Sequence, residues 1–238
     1  MRGTGSCGSW TERCGQMQRF KDIRARALDR KGGAEALEAL IGVEERHDIT
    51  ALGDDRILAE FSKRIFQAGF NWSVIESKWP GFEAAFHGFD IARNAMMSDE
   101  DLDRHLSDTG IVRHATKILS VRDNAIFLQD LAREHGRAAQ AIGGWPLTDQ
   151  VGLMALLKSR GARLGGMTGQ YALRFLGRDC FILSGSVVAA LNQAGVIDGA
   201  ATSKSALANI QAAFNSWAEE TGESYTRMSR ILALSADG

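Results

Sequence analysis

The sequence predicts an all-α fold, and three observations support this prediction. Only two prolines occur in 238 residues, so few positions force a helix to end. Between the glycines, apolar residues recur at spacings of three and four, which places them on one face of a helix. Hydrophobic residues make up 45% and charged residues 24% of the chain, as in globular proteins with a core. We therefore expect about ten short helices in a compact domain rather than a repeat array.

Periodicity, capping residues and helix breakers place the individual helices. In chain order they are predicted over 17–40 with a break at Gly32-Gly33, from Asp54 to Ile65, from Trp72 to Pro80, through Phe82, Phe86 and Phe89, from Ser98 to Gly110, over 111–135, from Asp149 to a glycine-rich turn, over 171–176, from Ser184 to Gly195, over 207–217 and near 225–234. The start at Ser98 is predicted from a capping box with Asp101. The three phenylalanines are assigned to the core.

One of these helices ends in an unusual corner within the stretch SKRIFQAGFNW, residues 62–72. Ile57, Phe61 and Ile65 form the buried face of the helix. The pattern then breaks into two aromatics and two amides around Gly69, where a surface cap is normally small and polar. This composition marks the corner as a candidate functional site.

Charge and cysteine content restrict the classes of function. The net charge is −1, which argues against an extended basic surface for nucleic acid but leaves room for a local cluster. No apolar run approaches the ~20 residues of a membrane span. Cys7, Cys14 and Cys180 make no disulfide framework and fit a reducing cytoplasm. Residues 1–16 are Gly/Ser-rich without the apolar segment of a signal peptide, so we expect a disordered extension before a single domain over 17–238.

The segment 156–177, LLKSRGARLGGMTGQYALRFLG, reads as helix, glycine-rich turn, helix. Four glycines allow positive φ and close backbone approach: Gly161, Gly165, Gly166 and Gly169. Three basic residues flank the turn: Lys158, Arg160 and Arg163. Exposed N–H groups at the start of the second helix favour an anion such as phosphate. A plain tight connection between packed helices needs glycines equally, and the pattern alone leaves both interpretations open.

Three blocks of the chain, set in an all-α frame, resemble a known family. They are FQAGFNWSVIESKWPGFEAAFHGFD (66–90), DTGIVRHATKILSVRDNA (108–125) and LLKSRGARLGGMTGQY (156–171). Their order and separations over about 55–180 are similar to those of the DNA-3-methyladenine glycosylase I family, within the helix-hairpin-helix DNA glycosylase superfamily. The resemblance implies an all-α fold of two lobes, with the hairpin at 156–176 and a base-binding cleft.

The resemblance also assigns roles to individual residues. The DNA backbone would be held by the turn of the hairpin: Gly161, Arg163, Leu164, Gly165, Gly166, Thr168 and Gly169. Trp72 matches the family's stacking tryptophan, and an indole face attracts a cationic N-methylated purine. Gln67 and Asn71 are placed at the base edge, although Asn71 equally suits a helix cap. Tyr171 is placed at the pocket, with a packed core position as the alternative.

Arg64 falls where the family has a pocket glutamate, and an arginine there would repel a cationic purine. Glu60 lies one turn earlier on the same helix face. It is the candidate catalytic carboxylate, either paired with Arg64 or replacing the lost glutamate. The alternative is a surface i,i+4 salt bridge of little energetic weight.

Two other features of the family are missing from the sequence. The family's zinc ligands have no C-terminal counterparts here, and Cys14, His47 and Cys180 are too scattered to indicate a site, so neither a metal nor a cofactor is expected. The catalytic aspartate of the wider superfamily falls on Ser184 or Ser186, while Asp179 nearby suits a turn.

The combined interpretation is a cytoplasmic, monomeric and monofunctional DNA glycosylase acting on double-stranded DNA that contains a damaged base. It would excise an alkylated, 3-methyladenine-like purine by base flipping and hydrolysis of the N-glycosidic bond. A lesion-binding protein without catalysis and a helical protein-interaction scaffold are the alternatives.

Overall fold

The computed structural model describes residues 17–44 and 46–236, and the regular elements within them are all helical. Thirteen α-helices occur in this part of the chain: α1 Phe20–Lys31, α2 Ala34–Ile41, α3 Asp54–Gln67, α4 Trp72–Ala85, α5 Ile91–Ala95, α6 Asp99–Ser107, α7 Ala115–His135, α8 Ala138–Gly143, α9 Gln150–Arg160, α10 Met167–Phe175, α11 Gly185–Gln193, α12 Lys204–Thr221 and α13 Tyr225–Ser235. Short 3₁₀ helices span Ile49–Ala51, His87–Phe89 and Leu147–Asp149. The predicted extension over 1–16, with Cys7 and Cys14, lies outside the described residues.

None of the described helices combines the length and the apolar character needed to cross a bilayer. The chain divides into two compact units. Within the described residues, the terminal unit combines 17–44 with 180–236, and the central unit is 46–179.

The terminal unit is built around α13, which packs against α1 and α11. Phe20 packs against Trp217 in its core, with the rings tilted and their centroids 5.7 Å apart. The apolar run 180–183 is not helical, and its backbone is bound by hydroxyls of α13 instead. Cys180 N–H donates to Thr226 Oγ1 at 3.1 Å, and Ile182 N–H donates to Ser229 Oγ at 3.0 Å.

The central unit contains the corner and the hairpin, and α3 is the helix that connects them. It packs against α7 on one side and α10 on another. Its buried face includes Ile57, Phe61 and Ile65, as the spacing predicts. This packing fixes the end of α3, where the corner begins.

The predicted helix end at Pro80 is wrong, because α4 continues through the proline to Ala85. An interior proline costs about 3 kcal/mol, so packing must compensate. Phe82 is fully buried and meets Phe66 edge-on at 4.6 Å, and burial of such a ring contributes about 1.5–3 kcal/mol. Gly81 also lies so close to the Gly110 carbonyl that an added Cβ would sit 2.5 Å from its oxygen.

Other predicted helix boundaries shift by a few residues. The helix expected from 111 begins at Ala115, because Ile111 is buried from a non-helical segment. The helix that the Ser98 capping box opens ends at Ser107. Asp108 accepts the Gly110 N–H at 2.7 Å and closes the turn there.

Candidate functional site

The corner after α3 is held by a buried lysine from α7. Lys117 Nζ donates to the carbonyl of Phe66 at 3.1 Å and to that of Ala68 at 2.6 Å. The last carbonyls of a helix have no partner within the helix, so Lys117 takes the place of a C-cap. Its ammonium also lies 4.4 Å from the centre of the Phe70 ring.

The pKa of Lys117 falls from 10.5 to about 8, chiefly because burial disfavours the charged amine and also because Arg163 is close. In the sequence, Lys117 is part of the run IVRHATKI, and neither the spacing of apolar residues nor a motif predicts a role for it. Its capping function becomes visible only when α3 and α7 are placed together.

The hairpin turn between α9 and α10 is clamped by a side chain that sequence reasoning missed. Asn124 of α7 donates through Nδ2 to the Ala162 carbonyl at 3.0 Å and accepts the Ala162 N–H at 2.8 Å. Leu164 is buried and anchors the other side of the turn, so only its backbone remains for contact with a ligand.

The four glycines of the hairpin differ in the reason why glycine suits their positions. Of the four, Gly166 uses the positive φ that glycine allows, at 60°; Arg163 also adopts φ 60° although it carries a side chain. Gly161 and Gly169 are required by packing, because an added Cβ would meet Leu157, Leu164 or the Leu164 carbonyl. At Gly165 an added Cβ would make only ordinary contact. Close packing between the helices therefore explains Gly161 and Gly169. Gly165 and Gly166 have space around their backbone, which is the arrangement that an anion site would need.

A cavity of about 310 Å³ lies where the corner meets the hairpin helix. It is lined by Arg64, Gln67, Ala68, Gly69, Phe70, Trp72, Met167, Thr168 and Tyr171. Trp72, the first residue of α4, is 42% exposed and meets Tyr171 edge-on, with ring centroids 5.8 Å apart. Four of the five predicted pocket residues are therefore brought together, and Tyr171 lines the cavity rather than the core.

Asn71 is the predicted pocket residue that does not line this cavity. Its Oδ1 accepts the Ser73 N–H at 3.0 Å and the Ser73 hydroxyl at 2.8 Å, which makes it the N-cap of α4. The capping alternative is the one that these contacts support. Asn71 contributes by fixing the direction in which Trp72 leaves the corner.

The predicted i,i+4 salt bridge between Glu60 and Arg64 forms, but it is buried rather than at the surface, because Arg64 is 6% exposed. Its Nε donates to Glu60 Oε1 at 2.5 Å and its Nη1 donates to Gln67 Oε1 at 2.7 Å. The guanidinium carbon lies 3.7 Å from the centre of the Phe175 ring and 5.4 Å from that of Trp72. The sequence analysis did not identify Phe175 as a site residue. Its position one helical turn after Tyr171, on the same face of α10, is the signal that could have indicated it.

The carboxylates near Arg64 form a short polar network. Burial raises the pKa of Glu60, while the Arg64 guanidinium opposes that shift. Gln67 Nε2 donates to Glu76 Oε1 at 3.0 Å, and Lys63 Nζ lies 2.7 Å from Glu76 Oε2. Glu60 is not among the residues lining the cavity. It is connected to the cavity wall by its hydrogen bond with Arg64.

A second cavity of about 310 Å³ lies against the hairpin turn. It is lined by Ile65, Ala68, Arg163, Gly165 and Thr168. Ala68 and Thr168 line both cavities, so the turn and the aromatic cavity are adjacent. Phosphate-sized space and a guanidinium are thus present beside the first turn of α10.

The remaining sequence candidates have structural contacts. Ser184 is the N-cap of α11 and accepts the Val187 N–H at 3.4 Å. Asp179 lies 3.9 Å from Arg46. Within 17–44 and 46–236, no three His, Cys, Asp or Glu side chains are grouped as a metal site would require. Cys14 lies outside those ranges.

Comparison with known proteins identifies the family. The family model described as methyladenine glycosylase matches residues 49–172, which is more than half of the chain and includes the corner and most of the hairpin. The chain belongs to the methyladenine glycosylase family. The resemblance drawn from the three sequence blocks and the all-α, glycosylase-like fold are therefore confirmed.

Curated family members match over a shorter stretch. DNA-3-methyladenine glycosylase 1 of Escherichia coli (strain K12) is 41% identical over 59 residues, which is 25% of this chain and 32% of that protein. DNA-3-methyladenine glycosylase of Haemophilus influenzae is 34% identical over the same length. The aligned region thus spans about a third of the length of these curated relatives.

Solved structures of the family are also similar. A crystal structure of 3-methyladenine DNA glycosylase I is 26% identical, with a TM-score of 0.45, covering 52% of this chain and 79% of the other. The enzyme from Staphylococcus aureus is 20% identical, with a TM-score of 0.49, covering 63% of this chain and 91% of the other.

Proposed function

We propose that the protein is a monofunctional DNA glycosylase that excises an alkylated purine of about the size of 3-methyladenine. It would flip the base out of double-stranded DNA and hydrolyse its N-glycosidic bond. One observation carries the proposal: Trp72, Tyr171 and Gln67 line one cavity beside the hairpin turn. A flipped base needs a π-surface in place of its lost stacking and polar groups at its edge, and this cavity offers both.

The proposed grip on DNA uses the backbone of the hairpin. Gly165, Gly166 and Thr168 lie at the start of α10, where free N–H groups and the helix dipole favour a phosphate. Arg163 beside them is exposed and adds a positive charge. Leu164 and Gly169 are buried, so their proposed contribution is limited to backbone groups and to the shape of the turn.

The chemistry we propose is hydrolysis by water. The amine nearest the corner, Lys117, is buried and bonded to two carbonyls, which does not suit a lysine nucleophile. The catalytic assignment of Glu60 remains a proposal with an altered role. Because Glu60 is bonded to Arg64, and Arg64 rather than Glu60 lines the cavity, Glu60 would act by positioning the guanidinium.

Removal of the Trp72 indole tests this proposal. We expect wild-type protein to release a methylated purine from duplexes that each carry one defined methylpurine, cationic or neutral. Trp72→Ala should reduce that release about 5- to 150-fold, because base–aromatic stacking is worth about 1–3 kcal/mol. Trp145→Ala is the matched control, since that indole lines neither cavity. Chromatographic analysis of released bases measures the effect. Equal loss in both variants, or no release by wild type from any alkylated DNA, would contradict the proposal.

A second candidate, a lesion-binding protein without catalysis, is favoured by one observation. The resemblance places Arg64 where the family has a pocket glutamate, and Arg64 Nε donates to Glu60 Oε1. This candidate predicts preferential binding to alkylated DNA without base release, and loss of that preference in Trp72→Ala.

A further inference from the structure

We propose that Arg64 selects the charge class of the substrate: the cavity takes a neutral alkylated purine that presents hydrogen-bond acceptors, and it rejects an N-methylated purine cation. This inference rests on the proposed function and specifies its substrate. It makes Arg64 a specificity-determining residue that contacts the base.

The position of the guanidinium is fixed from two sides. Nε is bonded to Glu60 and Nη1 to Gln67, while the guanidinium carbon lies 3.7 Å from the centre of the Phe175 ring. A cation held by an ion pair, an amide and an aromatic face has little freedom to swing away. Arg64 is therefore a permanent part of the cavity wall.

This position disfavours a cationic base. The face of Trp72 would attract a cation, but the Arg64 guanidinium already lies 5.4 Å from the centre of that ring. A second positive charge stacked on the indole would be repelled at short range in a poorly solvated site. The compensating carboxylate, Glu60, is already bonded to Arg64 and does not line the cavity.

The same position favours a base with acceptors. Within the described residues Nη2 of Arg64 makes no hydrogen bond, and Arg64 lines the cavity, so donors remain for a ligand. A guanidinium binds the O6 and N7 acceptors of guanine in a bidentate manner. A guanine alkylated on its exocyclic N2 is neutral and keeps both acceptors.

A neutral purine is a poorer leaving group than a cation, and Arg64 also addresses this difficulty. When the C1′–N9 bond breaks, its electron pair stays on the departing purine, where negative charge develops. Water forms the new bond to C1′ through its oxygen, and its proton ends on the purine. A fixed guanidinium at the purine edge stabilises the developing charge, whereas it would only repel a purine that is already cationic.

The test compares two duplexes that differ in the position of one methyl group, N2-methylguanine and 7-methylguanine. The first base is neutral with free O6 and N7, and the second is cationic with N7 blocked. With full-length protein in single-turnover assays, we expect N2-methylguanine to be released at least tenfold faster. Arg64→Gln should slow its release about 100-fold, so the preference over 7-methylguanine should disappear or reverse.

Two further variants separate charge from geometry. Arg133→Gln is the matched control, because it makes the same change at an exposed arginine that pairs with Asp130 and does not line the cavity; it should leave the ratio of the two rates unchanged. Arg64→Lys keeps the charge without the planar fork, so it should still discriminate against 7-methylguanine but release N2-methylguanine slowly. Arg64→Lys also provides the test of the inference if Arg64→Gln does not fold.

The inference and the proposed function fail in different ways. Faster release of 7-methylguanine by wild type, or a ratio unaffected by either Arg64 variant, would overturn the inference and leave the glycosylase proposal intact. If neither base is released, the glycosylase proposal loses support, and equilibrium binding then decides the inference. Tighter binding of the N2-methylguanine duplex, lost in Arg64→Gln, supports it; equal binding overturns it.

Discussion

At the scale of single residues, Lys117 and Arg64 show two uses of a buried cation. Lys117 is bonded to backbone carbonyls and completes a helix end. Arg64 is bonded to side chains and keeps donors at a cavity. The two roles differ because the two cations differ in the number and arrangement of their donors. The Lys117 ammonium is a compact group already bonded to two carbonyls, whereas a guanidinium has five N–H groups and can bond several neighbours at once.

The lowered pKa of Lys117 predicts a pH dependence of stability. Its folded-state pKa of about 8 lies below the ordinary 10.5, so between these values the unfolded chain binds more protons than the folded one. The free energy of unfolding should therefore rise with pH across this window. Denaturant titrations at pH 8 and 10 measure it, with Lys117→Met as the reference that lacks the titration. An identical pH slope in both proteins would contradict the prediction.

At the scale of elements, α7 determines the geometry of the hairpin through Asn124. Both hydrogen bonds of Asn124 go to the backbone of Ala162. A comparable clamp exists in the terminal unit, where Asn192 donates to the Gly199 carbonyl at 2.9 Å and accepts the Gly199 N–H at 2.6 Å. The chain thus contains two chemically similar loop clamps, one beside the candidate site and one in the other unit.

This pair allows the role of the hairpin in DNA binding to be tested apart from stability. We expect Asn124→Ala and Asn192→Ala each to lower the free energy of unfolding by about 1–3 kcal/mol, since backbone groups lose their partners. Only Asn124→Ala should also weaken binding to duplex DNA, because the turn would lose its fixed shape. Thermal melts and fluorescence anisotropy provide the measurements. Equal DNA affinities for the two variants would argue against the hairpin contact.

The sequence predicted those elements whose signals are local. Apolar spacing placed the buried face of α3, and Ser98 with Asp101 formed the expected capping box. It failed at Pro80, where the buried ring of Phe82 decides the outcome. It also missed Asn124 and Lys117, because a side chain that bonds the backbone of a distant segment leaves no periodic pattern.

The residues of the candidate site show the same contrast between local signals and long-range contacts. Trp72, Gln67 and Tyr171 were found by resemblance and lie together at one cavity. The burial of Arg64 and its contact with Phe175 could not be predicted, because they depend on the packing of α10 against α3. Long-range packing, which spacing along the chain does not encode, therefore accounts for most of the surprises.

At the scale of the whole molecule, a net charge of −1 shapes the expected interaction with DNA. Of the basic residues flanking the hairpin turn, Arg160 is bonded through both terminal nitrogens to Glu134, at 2.8 and 2.7 Å. Lys158 and Arg163 make no ion pair within the described residues. In the proposed contact, neutral N–H donors would bind phosphate without a matching positive charge, so few counterions should be released on binding.

We therefore expect a weak salt dependence of DNA affinity. With about two phosphates neutralised, the slope of log K against log salt concentration should be about −2. Titrations of an undamaged duplex between low and physiological salt measure the slope, and Arg163→Gln should reduce its magnitude by about one. A slope of about −5 or steeper would indicate a broad basic contact surface instead.

The two buried polar contacts of α7 have a consequence for engineering. Lys117 and Asn124 are seven residues apart, close to two turns, so they project from nearly the same side of the helix. One holds the corner and the other holds the hairpin turn. Their separation of roughly 10 Å along the axis, at 1.5 Å per residue, thus sets the distance between two parts of the candidate site. Transplanting the corner and hairpin into another scaffold would preserve their spacing only if this helix were transplanted with them.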